Sequence, residues 1–315
     1  PDLGTVIKWS RNLKVKLARG MAEDFDRALL IRYAYRPFLP QFGYLSRLMI
    51  DELGQWPAFD GPGNRSLNFP AGKVFTCLAS ALPTDFHFTG DTKTVALYRF
   101  DDGQRHDNIT DWALKQFTSH YKAGPGKRLP EPSKEGIFHY VYAALHDPLY
   151  RDKYALNLKR EFPRIPLYGL LRADFWRWAD WGRQLMDLHI GYEQVEPWPL
   201  QRQDTPDEKA RAAGQAPKCL LKSEPEPGRI VIDSETTLSG VPAEAWAYRL
   251  GNRSAIDWVL DQHKERKPKD PTIRAKFDTY RFADHKERVI DLLARVTRVS
   301  VQTMRLVAEL QAGLR

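Results

Sequence analysis

Apolar residues occur at helical spacing through most of the chain after residue 130, whereas the part before it holds short apolar runs separated by loops. TVALYRF (94–100) is typical of a strand, and KCLLK and RIVID flank the turn EPEPG as in a hairpin. We therefore predict a mixed α+β fold, helix-rich after residue 130 and with short antiparallel β segments. The clearest helix covers about residues 171–189, where seven residues form a core-facing stripe. They are Phe175, Trp178, Ala179, Gly182, Leu185, Met186 and His189.

Capping residues set the expected boundaries of the helices in the middle of the chain. DWALKQFTSHY (111–121) is predicted as a short helix with Thr110 or Asp111 as its cap. The next helix follows Ser133 and ends at Asp147-Pro148, where the aspartate caps a further helix and proline suits its first position. That further helix is predicted to run to about residue 162.

Other stretches give weaker signals. DDGQRHDNIT (101–110) is predicted to be a polar loop, and residues 201–216 a mobile polar excursion. KVFTCLASAL (73–82) fits either a buried strand or a short helix, because its periodicity does not decide between them. After residue 240 we predict three helices, the last a long one from about Ala283.

The segment KAGPGKRLPEP (122–132) is the best candidate for a linker, since its two glycines and three prolines break regular structure. We predict a mixed α/β part over residues 1–125, which could include the end of a preceding domain. Residues 126–315 form a helix-rich part with a small hairpin near 217–233.

Composition identifies a folded chain of 315 residues with 42% apolar residues and no apolar run long enough to span a bilayer. There is no signal-peptide pattern. Cys77 and Cys219 form no zinc motif, so a reducing cytoplasm is the plainer expectation. The chain begins at Pro1 without a methionine, which suggests a piece of a longer polypeptide.

Positive charge is concentrated near the end of the chain. The net charge is +8, and residues 249–315 hold 15 Lys and Arg against 9 Asp and Glu. A basic surface favours a polyanionic partner, nucleic acid above all, although a solvated helical surface would have the same composition.

Ten residues are candidates for DNA contacts. Arg36 is held beside proline and aromatic residues, which suits a rigidly presented guanidinium, and the others lie in loops or basic runs. Each could equally be a solvated or ion-paired surface residue. The candidates are Arg36, Asn64, Arg65, Lys127, Arg128, Arg253, Lys264, Arg266, Lys267 and Lys269.

Histidine and tyrosine are dense in residues 136–167, but their spacing argues against catalysis. His139 and His146 lie seven residues apart, whereas two histidines of one helix that bind zinc are usually four apart. We interpret them as histidines at the edge of a core. Asp85 and His87 could contribute to the metal site of a small hydrolase, an alternative that lacks a third partner in the sequence.

Common catalytic motifs are absent from the sequence. It contains no GxGxxG opening a helix after a strand, GxxxxGK[ST], HExxH or GxSxG, and no tetrapeptide of the kind that adenine methyltransferases use to hold a flipped base. We therefore expect no complete common enzyme, and no catalytic or metal-binding residue is assigned.

Six stretches in this order and spacing resemble the C-terminal target-recognition region of type ISP restriction–modification enzymes. They are YRPF (35–38), DFH (85–87), VALYRF (95–100), GIFHYVYAALHDPLYRDKYALNLKREFPRIPL (136–167), FWRWADWGRQLMDLHIGYE (175–193) and GVPAEAWAYRLGNRSAIDWVLDQHKER (240–266). In that family one bacterial polypeptide carries a nuclease, a helicase-like ATPase, an adenine-N6 methyltransferase and the recognition region.

The resemblance implies a module that binds duplex DNA and positions it for upstream domains. S-adenosylmethionine, ATP and Mg would serve those domains, and this part needs no cofactor. Three interpretations are open: a DNA-reading module, the small metal-dependent hydrolase, and a docking module that contacts only the upstream methyltransferase and helicase domains.

The linker provides a first test of the DNA-reading interpretation. Lys127→Ala combined with Arg128→Ala should weaken duplex binding without unfolding the chain, because two phosphate-binding cations are removed. Fluorescence anisotropy with a labelled duplex measures the affinity, and circular dichroism checks the fold. An unchanged affinity would assign binding to other loops.

Overall fold

Helices account for most of the regular structure in the computed structural model, which describes residues 10–50, 54, 58–125, 129–266, 269–271, 274–275 and 280–313. Most of the longer helices begin at a residue whose side chain accepts a backbone N–H, as Thr110, Ser133 and Ser254 do. The helices are α1 (Arg11–Ala18), α2 (Asp111–His120), α3 (Lys134–Ala144), α4 (Pro148–Lys153), α5 (Ala155–Arg160), α6 (Arg172–Ile190), α7 (Glu208–Ala212), α8 (Ala243–Ala247), α9 (Ala255–His263) and α10 (Lys286–Ala312).

The strands are short and pair antiparallel within five small sheets of the described chain, so the predicted α+β class is confirmed. One sheet has the order β8-β11-β10-β9 and another β4-β3-β5; the remaining strands pair as β1-β2, β6-β7 and β12-β13. The strands are β1 (Leu30–Arg36), β2 (Leu39–Tyr44), β3 (Ser66–Pro70), β4 (Leu78–Ser80), β5 (Thr92–Ala96), β6 (Tyr98–Asp101), β7 (Gln104–Asp107), β8 (Gln201–Asp204), β9 (Cys219–Glu224), β10 (Arg229–Asp233), β11 (Thr236–Ser239), β12 (Arg249–Leu250) and β13 (Arg253–Ser254).

Two predicted loops were wrong. Residues 101–110 contain β7, which pairs with β6 across Asp102-Gly103, and both turn residues have positive φ. An Asp-Gly pair is a strong hairpin signal. Residues 201–216 contain β8 and α7; β8 pairs with β11 at the sheet edge. All four residues of β8 are exposed, so no apolar alternation marks it.

The other element predictions agree with the structure in most places. The ambiguous stretch 73–82 contains strand β4, and the predicted hairpin at KCLLK and RIVID is β9-β10. The helix that was predicted to run to about residue 162 is instead two short helices, α4 and α5, which meet at Tyr154, where ψ is 21°.

Two hydrophobic clusters form the core. The first packs α8, α9 and α10 against the sheet β8–β11, and the second surrounds the packed helices α3 and α6. The buried stripe predicted on α6 is confirmed at all seven positions. Each cluster also contains residues from before position 125, such as Phe38 in the first and Phe117 in the second. The division at 125 therefore stays a prediction.

A hydrogen-bonded chain of buried groups joins these clusters. Ala79 N–H donates to Tyr142 Oη at 2.9 Å, and Tyr142 O–H lies 2.6 Å from His189 Nδ1. His189 Nε2 lies 2.8 Å from Thr303 Oγ1, whose hydroxyl donates to Val299 O at 2.8 Å. Because the threonine proton is used on Val299, His189 must donate from Nε2 and accept at Nδ1. We call this chain the relay.

Both histidines of the dense 136–167 stretch, His139 and His146, are buried as well. His146 Nδ1 lies 2.8 Å from the carbonyl of Tyr142, the backbone bond expected of a core histidine. Burial lowers the pKa of His146 well below its usual value, and it lowers the pKa of His139 as well. His146 and the hydroxyls of Tyr140, Tyr142 and Tyr150 therefore form hydrogen bonds within or at the margin of the core.

The relay makes stability depend on pH. Burial lowers the pKa of His189 from 6.5 to about 3, so between these values only the unfolded chain takes up the proton. The free energy of unfolding should fall by about 1.4 kcal/mol for each pH unit below 6.5 for such a histidine. In urea titrations His189→Gln should show a shallower decline between pH 6.5 and 4 than the natural chain. Equal slopes would rule out this role for His189.

Candidate nucleic-acid interface

Two of the candidate arginines pair with the same carboxylate, that of Asp261 on α9. Arg253 Nη1 and Arg266 Nη2 each lie 2.8 Å from Asp261 Oδ2. Burial favours the protonated form of Asp261, but the two arginines outweigh it and lower the pKa of this carboxyl below its usual value. Because two cations share one carboxylate, the group has an excess positive charge.

A cleft of about 330 Å³ lies between β9 and α9, and Arg253 and Asp261 are part of its lining. Lys264 and Lys222 line it together with Arg253. Asp257, also in the lining, is held by the hydroxyls of two serines at 2.7 and 2.8 Å, which fixes the start of α9. We define Lys222, Arg253, Lys264 and Arg266 as the α9 basic cluster.

Four further candidates lie outside the α9 basic cluster or outside the described residues. Lys269 is exposed in the loop after α9. Lys127, Arg128 and Lys267 lie outside the described residues.

Arg36 is not grouped with the α9 basic cluster. Its Nη1 lies 2.6 Å from Asp85 Oδ1, its guanidinium lies 4.0 Å from the centre of the Tyr35 ring, and only 17% of the side chain is exposed. This is the stacked and ion-paired arrangement that the sequence left open as an alternative to DNA contact.

Asn64 is buried and its amide is fully used. Its Nδ2 donates to the carbonyls of Phe59 and Tyr98, while its Oδ1 accepts from the N–H groups of Arg65 and Tyr98. The two N–H groups and the two oxygen lone pairs of the Asn64 amide are therefore all used. We therefore expect Asn64 to shape the loop that carries Arg65 rather than to contact DNA.

Arg65 is held by one nitrogen and is one-third exposed. Its Nη1 lies 3.3 Å from His139 Nε2 and 3.8 Å from Asp187 Oδ1. An arginine can only donate, so His139 accepts at Nε2, and burial keeps this histidine neutral by lowering its pKa. Within the described ranges, neither Nε nor Nη2 of Arg65 has a hydrogen-bond partner.

A second and larger cleft, of about 490 Å³, brings Arg65 together with the Asp85 stretch. It lies between the β1-β2 hairpin and the strands β3, β4 and β5. We call it the N-terminal cleft. Its lining combines aromatic residues, hydroxyls, one arginine and carboxylates, and it includes Tyr33, Phe59, Asp60, Arg65, Thr84 and Phe86.

The family follows from the sequence as a whole. The model of the Type ISP C-terminal specificity domain matches residues 2–292. The chain belongs to this family. No curated protein matches the sequence of this chain.

Solved structures similar to this specificity domain come from DNA complexes. A cryo-EM structure of a DrdV–DNA complex has a TM-score of 0.88 and 44% identity, covering 98% of this chain and 31% of that chain. A nuclease-deletion mutant of the Type ISP restriction–modification enzyme LlaGI, in complex with a DNA substrate mimic, has a TM-score of 0.73 and 25% identity, covering 96% and 26%. The ATP-dependent Type ISP enzyme LlaBIII, bound to DNA, shares the fold with a TM-score of 0.76 at 21% identity, covering 97% and 20%.

This specificity domain therefore spans less than a third of the length of each of these three chains. Among its described helices, none is long and apolar enough to cross a membrane.

The metal-dependent alternative finds no support in the geometry of the specificity domain. Asp85 Oδ1 is occupied by Arg36 and by the N–H of His87, and His87 Nδ1 lies 3.4 Å from Asp91 Oδ1. In the part of the chain that the structure describes, no three His, Cys, Asp or Glu side chains are placed to hold a metal ion.

Two residues of these clefts were missed by sequence reasoning. Lys222 is exposed on β9, where only the alternation of the strand could have indicated it. Asp60 lies in a loop rich in glycine and proline, and nothing local distinguishes it from other loop acids.

Proposed function

We propose that this specificity domain recognises a duplex DNA target for a longer Type ISP restriction–modification polypeptide. The observation that carries the proposal is the α9 basic cluster, in a family whose solved relatives are bound to DNA. The chain grips phosphates with lysine and arginine, which fixes the register of the double helix, and loops then read the bases.

The shared carboxylate suits Arg253 and Arg266 to this grip. Asp261 holds both guanidinium groups near α9 before DNA arrives, which lowers the cost of ordering them. A phosphate would pair with the excess positive charge without removing Asp261, because each guanidinium has further N–H donors. Asp261 therefore preorganises the two guanidinium groups for binding a phosphate.

Chemistry belongs to other parts of the longer polypeptide under this proposal. Those parts would methylate adenine at N6 with S-adenosylmethionine and use ATP and Mg for restriction, in the bacterial cytoplasm, while this chain alone catalyses nothing. Its task is to hold the duplex so that the correct adenine reaches the methyltransferase.

The salt dependence of duplex binding tests the proposed phosphate contacts. Replacing Arg253, Lys264 and Arg266 together by Gln should weaken duplex binding, because fewer phosphates are neutralised. The slope of log K against log salt should become shallower by about 0.9 for each phosphate that the variant no longer neutralises. Anisotropy titrations from 50 to 200 mM salt would measure the slope.

The matched control removes three exposed cations elsewhere, Arg202, Lys209 and Lys218, also by Gln. It alters the net charge equally and should leave the slope near that of the natural chain. If both variants changed the slope equally, the effect would reflect net charge, and the α9 basic cluster would not be the contact.

Docking to other domains of the same polypeptide is a second candidate function, and α1 favours it. None of its eight residues is buried, and Val15 and Leu17 are 41% and 50% exposed. A helix this short is marginal alone in water, so a covering surface would stabilise it. Tight binding to the separated methyltransferase domain, with no duplex binding, would favour docking alone.

A further inference from the structure

We infer that the N-terminal cleft receives a single nucleobase, bearing an exocyclic amine, that has left the stack of the nucleic acid. The inference rests on the proposed DNA-binding function and adds a second mode of contact to it. The cleft lies in the β-rich part of the chain, and none of its lining residues belongs to the α9 basic cluster.

The concave shape decides which part of DNA could enter. Base edges in an intact duplex lie at the bottom of a groove, and a protein reads them with a helix, ribbon or loop that protrudes into it. Side chains that line a recess cannot reach those edges. A nucleotide turned out of the helix can instead enter the recess, as it does in enzymes that act on bases. The volume of about 490 Å³ lies within the range of small-ligand pockets.

The walls suit a flat aromatic ring. Tyr33, Phe59 and Phe86 all line the cleft, and Phe86 is 63% exposed although it is a large apolar residue. Stacking of a base on an aromatic side chain contributes about 1–3 kcal/mol and tolerates any base. Exposed phenylalanine at a cleft in a DNA-binding family is therefore consistent with base stacking.

Asp60 indicates which bases fit. It has no hydrogen-bond or ion-pair partner among the residues that can be described, and partial burial raises the pKa of its carboxyl. A carboxylate repels phosphates, so at a DNA site it is useful only where it accepts a hydrogen bond from a base. Adenine, cytosine and guanine each offer an exocyclic amine for this. The Watson–Crick edge of thymine offers only N3–H, which lies between two carbonyl oxygens that a carboxylate repels.

Arg65 provides the complementary donors. Its attachment through Nη1 to His139 and Asp187 restrains the guanidinium, while Nε and Nη2 remain available within the described structure. At the same cleft the hydroxyls of Thr84 and Thr94 lie 3.0 and 2.8 Å from Asn68 Oδ1, which fixes that part of the lining. A donor, an acceptor and a rigid wall together can distinguish one base edge from another.

Homopolymeric single strands test the inference without knowledge of the target sequence. Oligo(dC) and oligo(dT) have the same backbone and ring size, but only cytosine carries the amine. Anisotropy titrations should give oligo(dC) about tenfold tighter binding than oligo(dT), in keeping with the discrimination of one specific base contact. Asp60→Ala should reduce that ratio to about twofold or less, since the acceptor is gone.

Asp152→Ala is the matched control, because Asp152 is exposed on α4 and does not line the cleft. It removes the same charge and should retain the tenfold preference. Thermal melting of both variants checks that each is folded.

Duplex binding measured on the same samples separates the two proposals. Salt-dependent duplex binding with no preference for oligo(dC), or with a preference that survives Asp60→Ala, would overturn the nucleobase site and leave the DNA grip intact. Absence of any duplex binding would overturn the proposed function itself.

Discussion

The relay from Ala79 to Val299 is the constraint on which the architecture depends. It crosses from β4 through α3 and α6 to α10, and its members are buried. Each group in it uses its proton and its acceptor once, so removing one leaves an unpaired polar atom in an apolar surrounding. The two hydrophobic clusters are therefore held in one relative arrangement by directional bonds as well as by packing.

Both clefts depend on that arrangement. Helix α3 carries His139, one turn before Tyr142, and His139 restrains Arg65 at the N-terminal cleft. Gly182 permits this because α6 approaches the carbonyl of His139 so closely that any side chain there would collide with it. On the other side, α9 and α10 pack in the first cluster, and three members of the α9 basic cluster line the cleft between β9 and α9. A rigid interior thus sets the distance between the α9 basic cluster and the N-terminal cleft.

Local signals predicted the helices well because capping and periodicity act over a few residues. Ser133 and the Asp147-Pro148 pair cap helices as expected, and the stripe of α6 is buried throughout. The relay could not be predicted, since His189 meets partners 47 and 114 residues away in sequence. The same limit applies to the site: charge indicated Arg253 and Arg266, but only the fold joins them at one carboxylate.

We propose that this chain selects the DNA sequence on which a longer enzyme acts. The most direct measurement uses a hybrid enzyme. A relative that recognises a different target has its C-terminal region replaced by this chain, and methylated adenines are then mapped in cellular DNA. Methylation is expected to move to the sequence that is modified by the natural polypeptide of this chain. Methylation that stays at the relative's own target, from a folded and active hybrid, would contradict it.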